Sequence, residues 1–150
     1  MRMEDVYQLV GNPTTMKKAF GYVQDGRVIT IHVENESDGV RYTARVRGRY
    51  DLYQTWYKET DTQIVVGCTC PAFERTRTAC KHIAALMIEN MARQEYEREA
   101  RQRQQEYEKR RREEQARENE AFINRMIQLG EKAHARRTDG RTQNPPVSRA

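Results

Sequence analysis

Three cysteines and a histidine fall within fifteen residues of this chain: Cys68-Thr69-Cys70-Pro71, a nine-residue interval from Pro71 to Ala79, then Cys80-Lys81-His82. No other feature constrains the fold as tightly. Side chains two positions apart point to the same side of an extended chain. Cys68 and Cys70, at the end of a strand, therefore address one ion. Pro71 fixes the direction of exit through its locked φ. The interval brings the chain back, and Cys80 and His82 complete the set just before, or within, the first turn of a helix. Three thiolates and an imidazole satisfy tetrahedral zinc, at about 2.3 Å for Zn–S and about 2.0–2.1 Å for Zn–N. Four protein ligands leave no place for water or substrate, so the zinc is structural. A redox pair at Cys68 and Cys70 is the rival, although redox motifs usually leave two residues between the cysteines. Copper and iron–sulfur clusters also accept thiolates.

Composition says how much chain such a staple must hold. Of 150 residues, 37% are hydrophobic and 33% charged, with a mean hydropathy of −1.04. That is too polar for one core throughout; roughly 80–90 residues can pack and the remainder stays polar. A core of that size commonly needs a metal. No apolar run approaches the roughly 18 residues of a membrane span, and Met1 to Val10 carries Glu4 and Asp5 rather than a signal-peptide stretch. The three closely spaced cysteines make a poor disulfide framework. The expectation is an intracellular protein, cytoplasmic or associated with nucleoid or nucleus. Net charge is +5, which permits an anionic partner. The excess lies mostly beyond residue 130, so a basic surface on the folded part must come from local arrangement.

The expected class is α+β: a small antiparallel β-meander with a zinc knuckle, then a long, highly charged C-terminal helix and a disordered tail. Residues 1–26 read as a helical lead-in broken by Gly11-Asn12-Pro13, with Thr14 or Thr15 as the second cap. Residues 27–92 form the zinc-binding domain. Arg27 to Glu34 is a strand, and Val40 to Tyr50 is the clearest one. There Val40, Tyr42, Ala44, Val46, Gly48 and Tyr50 alternate with Arg41, Thr43, Arg45, Arg47 and Arg49, giving one apolar face and one arginine face. Leu52 to Tyr57, with the only tryptophan, Trp56, and Gln63 to Val66 add two strands. From Lys81 the pattern is helical, with Ile83, Leu86, Met87 and Met91 as the stripe that packs on the sheet. Residues 93–129 extend that helix as an exposed run sustained by Glu-to-Arg pairs four apart, a coiled coil being the rival. Gly130 is the expected stop, about 49 residues and about 70–75 Å from the start, and 130–150 the disordered basic tail.

The pattern Cys68-Thr69-Cys70-Pro71-Ala72-Phe73 with Cys80-Lys81-His82-Ile83-Ala84-Ala85-Leu86 resembles a SWIM-type zinc finger. So does the upstream Gly21-Tyr22-Val23-Gln24-Asp25-Gly26-Arg27-Val28, and the similarity covers about residues 14–91. The resemblance implies one structural zinc on Cys68, Cys70, Cys80 and His82. It also implies association with DNA or with proteins, since such fingers occur in chromatin-remodelling-type ATPases, transposase-like proteins, recombination accessory factors and ubiquitin-ligase-type proteins. A shared module does not fix one role.

Two functions follow as expectations. In the first, Arg41, Arg45, Arg47 and Arg49 on the strand, with Arg75, Arg77 and Lys81 beside the zinc loop, contact DNA, because arginine forks suit phosphate and a two-stranded ribbon enters a major groove. Tyr53, Trp56 and Tyr57 are candidates for stacking on bases or for core. In the second, the chain is an adaptor: Phe122, Ile123, Met126 and Ile127 hold a second copy or a protein partner of recombinase, helicase or transposase type, unless the helix breaks near Gln115 and folds back. No catalytic residue is expected: His32 lies in a strand without a triad-like context, His134 falls in the tail, and no phosphate-binding glycine loop is present.

Overall fold

Alternation in the second strand decides which way the sheet faces. Tyr42, Ala44 and Val46 are buried while Arg45 and Arg47 are exposed. The computed structural model describes residues 1–139. Its four strands, β1 (Val28–Glu36), β2 (Gly39–Arg47), β3 (Leu52–Glu59) and β4 (Ile64–Cys68), pair antiparallel in chain order, the meander that the sequence predicts. Tyr42 of β2 faces Tyr57 of β3 across the ladder. Their rings stack at 4.6 Å on the inner side of the sheet.

β2 ends at Arg47, three residues before the alternation suggests. The Gly48 N–H donates to the Asp51 carbonyl at 2.8 Å. A Cβ on Gly48 would stand 2.3 Å from the Tyr53 ring, so only glycine lets the chain turn there against that side chain. Arg49 and Tyr50 thereby leave the sheet. β1 carries a second irregularity. A bulge between Ile29 and Ile31 holds Thr30 at φ 46°, a conformation that a β-branched residue adopts at a cost of about 1–3 kcal/mol. The extra residue resets the pleat. Val28 and Ile31 both pair with inward-facing residues, Val46 and Ala44, and His32 lands opposite outward-facing Thr43.

Two helices precede the sheet, α1 (Met3–Val10) and α2 (Pro13–Gln24). Gly11 ends α1 in the left-handed region, φ 61°. Asn12, not Thr14 or Thr15, caps α2: its side-chain oxygen accepts from the Thr14 and Thr15 N–H groups at 2.9 and 3.2 Å. Pro13 at the first helical position favours the residue before it as the cap. The interval after Cys70 is not wholly loop either, because it contains α3 (Pro71–Thr76).

The last helix, α4, runs Lys81–Asp139 without a break at Gln115 and passes through Gly130. The expected stop fails because an interior glycine costs only about 1 kcal/mol and its neighbours Gln128, Leu129, Glu131 and Lys132 are good helix formers. The part of the expected tail beyond Asp139 lies outside the described residues. Residues Met1–Glu99 form one compact unit, and a second begins at Ala100. In the first, α4 is buried on all sides from Ile83 to Ile88 rather than along a stripe. Val6, Val10, Met16 and Ala19 of α1 and α2 join the same core as Tyr42, Ala44, Val46 and Tyr57 of the sheet. In the second, the helix is exposed along its described length beyond Ala100, Phe122, Ile123, Met126 and Ile127 included.

Tyr57 ties the sheet to α4. Fully buried, its hydroxyl accepts a hydrogen bond from Asn90 at 2.5 Å, and burial pushes its pKa up, so it stays neutral. Tyr57→Phe strands the buried Asn90 amide, a loss of about 1–3 kcal/mol. Urea unfolding of the zinc-loaded protein should show the midpoint falling with the slope unchanged. At the hairpin end of the sheet, Lys58 bonds Glu36 at 2.6 Å and also Asp38, and these bonds hold both carboxyls below their usual range. Folded pKa values below the unfolded ones make this contribution complete above the unfolded carboxylate range and lost as pH falls through the folded values. Replacing Lys58 by Met should flatten the acid side of the stability profile.

Candidate metal centre

β4 delivers Cys68 to the core with its last residue, and the chain stays extended through Cys70, φ −78° and ψ 148°. Both thiols therefore face inward, as alternation requires. Cys70 also caps α3: its sulfur accepts from the Phe73 N–H at 3.5 Å, with Pro71 as the first helical residue. α3 ends at Thr76, the capping Arg77 takes φ 52°, and the chain turns back to Cys80. His82 sits in the first turn of α4.

The four donor atoms lie within 4.8 Å of one another and all four residues are buried. The His82 Nδ1 stands 3.8 Å from both the Cys68 and the Cys80 sulfur. A tetrahedral zinc with the usual bond lengths puts sulfur and nitrogen about 3.6 Å apart and two sulfurs about 3.8 Å apart. The residues fit the ion. Nδ1 is the nitrogen aimed at it, which assigns the ring proton to Nε2. Nε2 is buried with no hydrogen-bond partner among the described residues. The ring is held instead by packing, between Tyr22 at 5.4 Å and Tyr53 at 4.8 Å.

Electrostatics fit too. The four donors are electrostatically linked: Cys68 and His82 beside Cys80 pull its thiol down. Cys68 goes up through its contact with Cys80 and through burial, and Cys70 mainly through burial. A dication removes the remaining protons, since a coordinating thiol is deprotonated outright.

Residues 66–90 match the family model of the SWIM zinc finger. This stretch is a SWIM zinc finger. It holds one structural zinc ion on Cys68, Cys70, Cys80 and His82, the ligand set read from the sequence. No curated protein and no solved structure matches the chain. No helix among the described residues is long and apolar enough to cross a membrane.

The basic residues around the finger separate. Arg41 is engaged: its Nε lies 2.8 Å from Glu36, and its guanidinium lies 4.4 Å from the centre of the Trp56 ring. Arg45 and Arg47 are exposed on the outer face and form no ion pair among the described residues. Arg49, outside β2, lies over Tyr50. Arg75 donates to the Pro71 carbonyl at 3.2 Å. Lys81 lies over Tyr22 and lines a different hollow, with Thr15, Lys18 and Thr78. Arg77 lies over the Phe73 ring and lines a hollow of about 350 Å³ at the β4 edge of the sheet, between outward-facing Gln54, Trp56 and Gly67 and inward-facing Val66 and Cys68. So Arg45 and Arg47 share the outer face of the sheet, Arg77 stands at its β4 edge, Arg49 lies outside the strand, and Lys81 belongs to another hollow. Of the aromatics, Tyr57 and Tyr53 point inward and only Trp56 shares the arginine side. His32, which the sequence placed in a strand without a catalytic context, and Gln54, which it did not single out, both face outward. The spacing in β3 placed Gln54 with Trp56, but nothing in it signalled the bulge that turns His32 outward.

Replacing Cys70 by Ser should take the zinc content from one per chain to none, and a chelator should unfold the Met1–Glu99 unit of the native protein in step with metal release. Because protons compete for the three thiolates and the imidazole, apparent zinc affinity should fall steadily as pH drops below neutrality. A competition titration against a chromophoric chelator measures both.

Proposed function

We propose that this protein is a DNA-binding or DNA-associated accessory factor whose zinc finger fixes the sheet so that its outer face meets the nucleic acid. What carries this is the pair of exposed guanidiniums of Arg45 and Arg47 on an open sheet face, without an ion pair among the described residues, with Arg77 at the β4 edge of the same sheet. Toward the hairpin end of that face carboxylates accompany the cations, Glu36 with Arg41 and Lys58, Asp38 with Lys58, and Glu34 opposite Arg41. The remaining positive charge is therefore concentrated at the end nearest the finger. The zinc's four protein ligands support a structural and not a catalytic role for the finger, and its buried thiols suit a reducing, intracellular setting.

An adaptor role is the second reading, supported by Phe122, Ile123, Met126 and Ile127, each more than half exposed on α4. A partner protein or a second copy would cover them. It predicts that Ile127→Ser changes the mass of the particle in solution or the capture of a protein partner; if neither changes, the patch is not a contact.

For DNA, phosphate contacts make affinity depend on salt. Replacing Arg45 and Arg47 together by Gln should weaken DNA binding and reduce the slope of log K against log salt by about 0.7–0.9 for each phosphate no longer neutralised. Fluorescence anisotropy with a labelled oligonucleotide at several salt concentrations checks it. An unchanged slope with zinc content intact removes the basic face from the interface.

A further inference from the structure

The arginines of β2 do not lie on a free two-stranded ribbon. β2 is an interior strand, flanked by β1 and β3, with β4 beyond. Outer strand axes in a four-stranded sheet stand about 14–15 Å apart, already more than the roughly 12 Å width of a major groove. Arg45 and Arg47 cannot be carried into a duplex by inserting this face. A duplex meets this face only through its backbone, whereas a single strand can lie across the sheet with its bases turned to the protein.

The face is built for that. Trp56 lies directly on the Gly67 backbone, because a Cβ there would stand 2.5 Å from the indole. Arg41 is laid on the indole and paired with Glu36, its side chain 34% exposed, so the half-buried pair presents a cationic, planar surface at this face. Base stacking on such aromatic and guanidinium planes is tolerant of sequence. On one side of Gln54, a hollow of about 330 Å³ is lined by Thr30, His32, Thr43 and Arg45; on the other lies the hollow that Arg77 shares with Trp56. The strained bulge at Thr30 is what turns His32 toward the first hollow. Strain of that kind is kept where surrounding structure enforces it, commonly at binding sites.

We propose that the outer face of the sheet binds single-stranded nucleic acid, with phosphates on Arg45, Arg47 and Arg77 and a base stacked at the Trp56–Arg41 pair. The inference rests on the proposed nucleic-acid function of this face and specifies its substrate. Trp56 is the only tryptophan, so its emission reports the contact directly. Full-length zinc-loaded protein is titrated with oligo(dT), oligo(U) and a mixed-sequence duplex of equal length. The expected result is quenching of Trp56 and at least tenfold tighter binding by one or both single strands than by duplex. Trp56→Leu should lower single-strand affinity about 5- to 150-fold, the equivalent of the ~1–3 kcal/mol that one stacked base contributes. Gln54→Ala, at a position on the face but outside the core, is read in parallel in case Trp56→Leu loses zinc; it should weaken single strands while leaving duplex binding unchanged. Duplex binding that equals or exceeds single-strand binding, without quenching, overturns the inference and leaves the DNA function standing. No binding of any of the three removes both.

Discussion

Four side chains, two from the end of the sheet and two from the start of the last helix, meet at one point, and the rest of the unit is organised by that meeting. Cys68 and Cys70 come from the end of the sheet, Cys80 and His82 from the start of α4. Joining them fixes where the helix begins and so which of its residues enter the core. Ile83 to Ile88 follow His82 at once and are buried on every side. The metal is placed at the seam between sheet and helix, where a small apolar core most needs a covalent-strength tie. Asn90 and Gln94 extend the same seam by donating to Tyr57 and Tyr42.

With its inner face committed, the sheet has its outer face left over, and the placing of its charges follows from this division. The acidic residues of the β1–β2 hairpin end pair with Arg41 and Lys58, which leaves Arg45 and Arg47 as the unbalanced charges. α3, started by Pro71 and capped by the metal ligand Cys70, carries Arg77 to the β4 edge of the sheet. The zinc ligands thus shape the surface from beneath: they are buried, and the side chains available to a partner come from the strands and from the finger's own segment around α3.

The long helix obeys a different rule. Beyond Glu99 there is no core for it to join among the described residues of its own unit, and its order comes from propensity and from exposed pairs such as Lys109 with Glu113 at 3.9 Å. Such pairs contribute little individually, but helix formers in series make propagation favourable. That is also why Gly130 does not end it.

The zinc ligands, the meander and the helical register of Lys81 onward were all legible in the residues, because each depends on local rules: ligand spacing, a period of two, a period near 3.6. The inward set Tyr42, Ala44 and Val46 was legible for the same reason. What local rules could not supply was the grouping of the cations. Arg41, Arg45, Arg47 and Arg49 are equivalent by alternation, yet Glu36 and Trp56 take Arg41, and the Gly48–Tyr53 contact turns Arg49 out of the sheet. Nor could they place His32, whose side of the sheet is set by one extra residue at Thr30. Donor chemistry and spacing were enough to name the four ligand residues and a structural zinc as their best fit, and the structure added that Nδ1 of His82 faces the ion. Only the tertiary structure decided which surface the metal presents, since pairing, bulges and charge neutralisation arise between segments far apart in the chain.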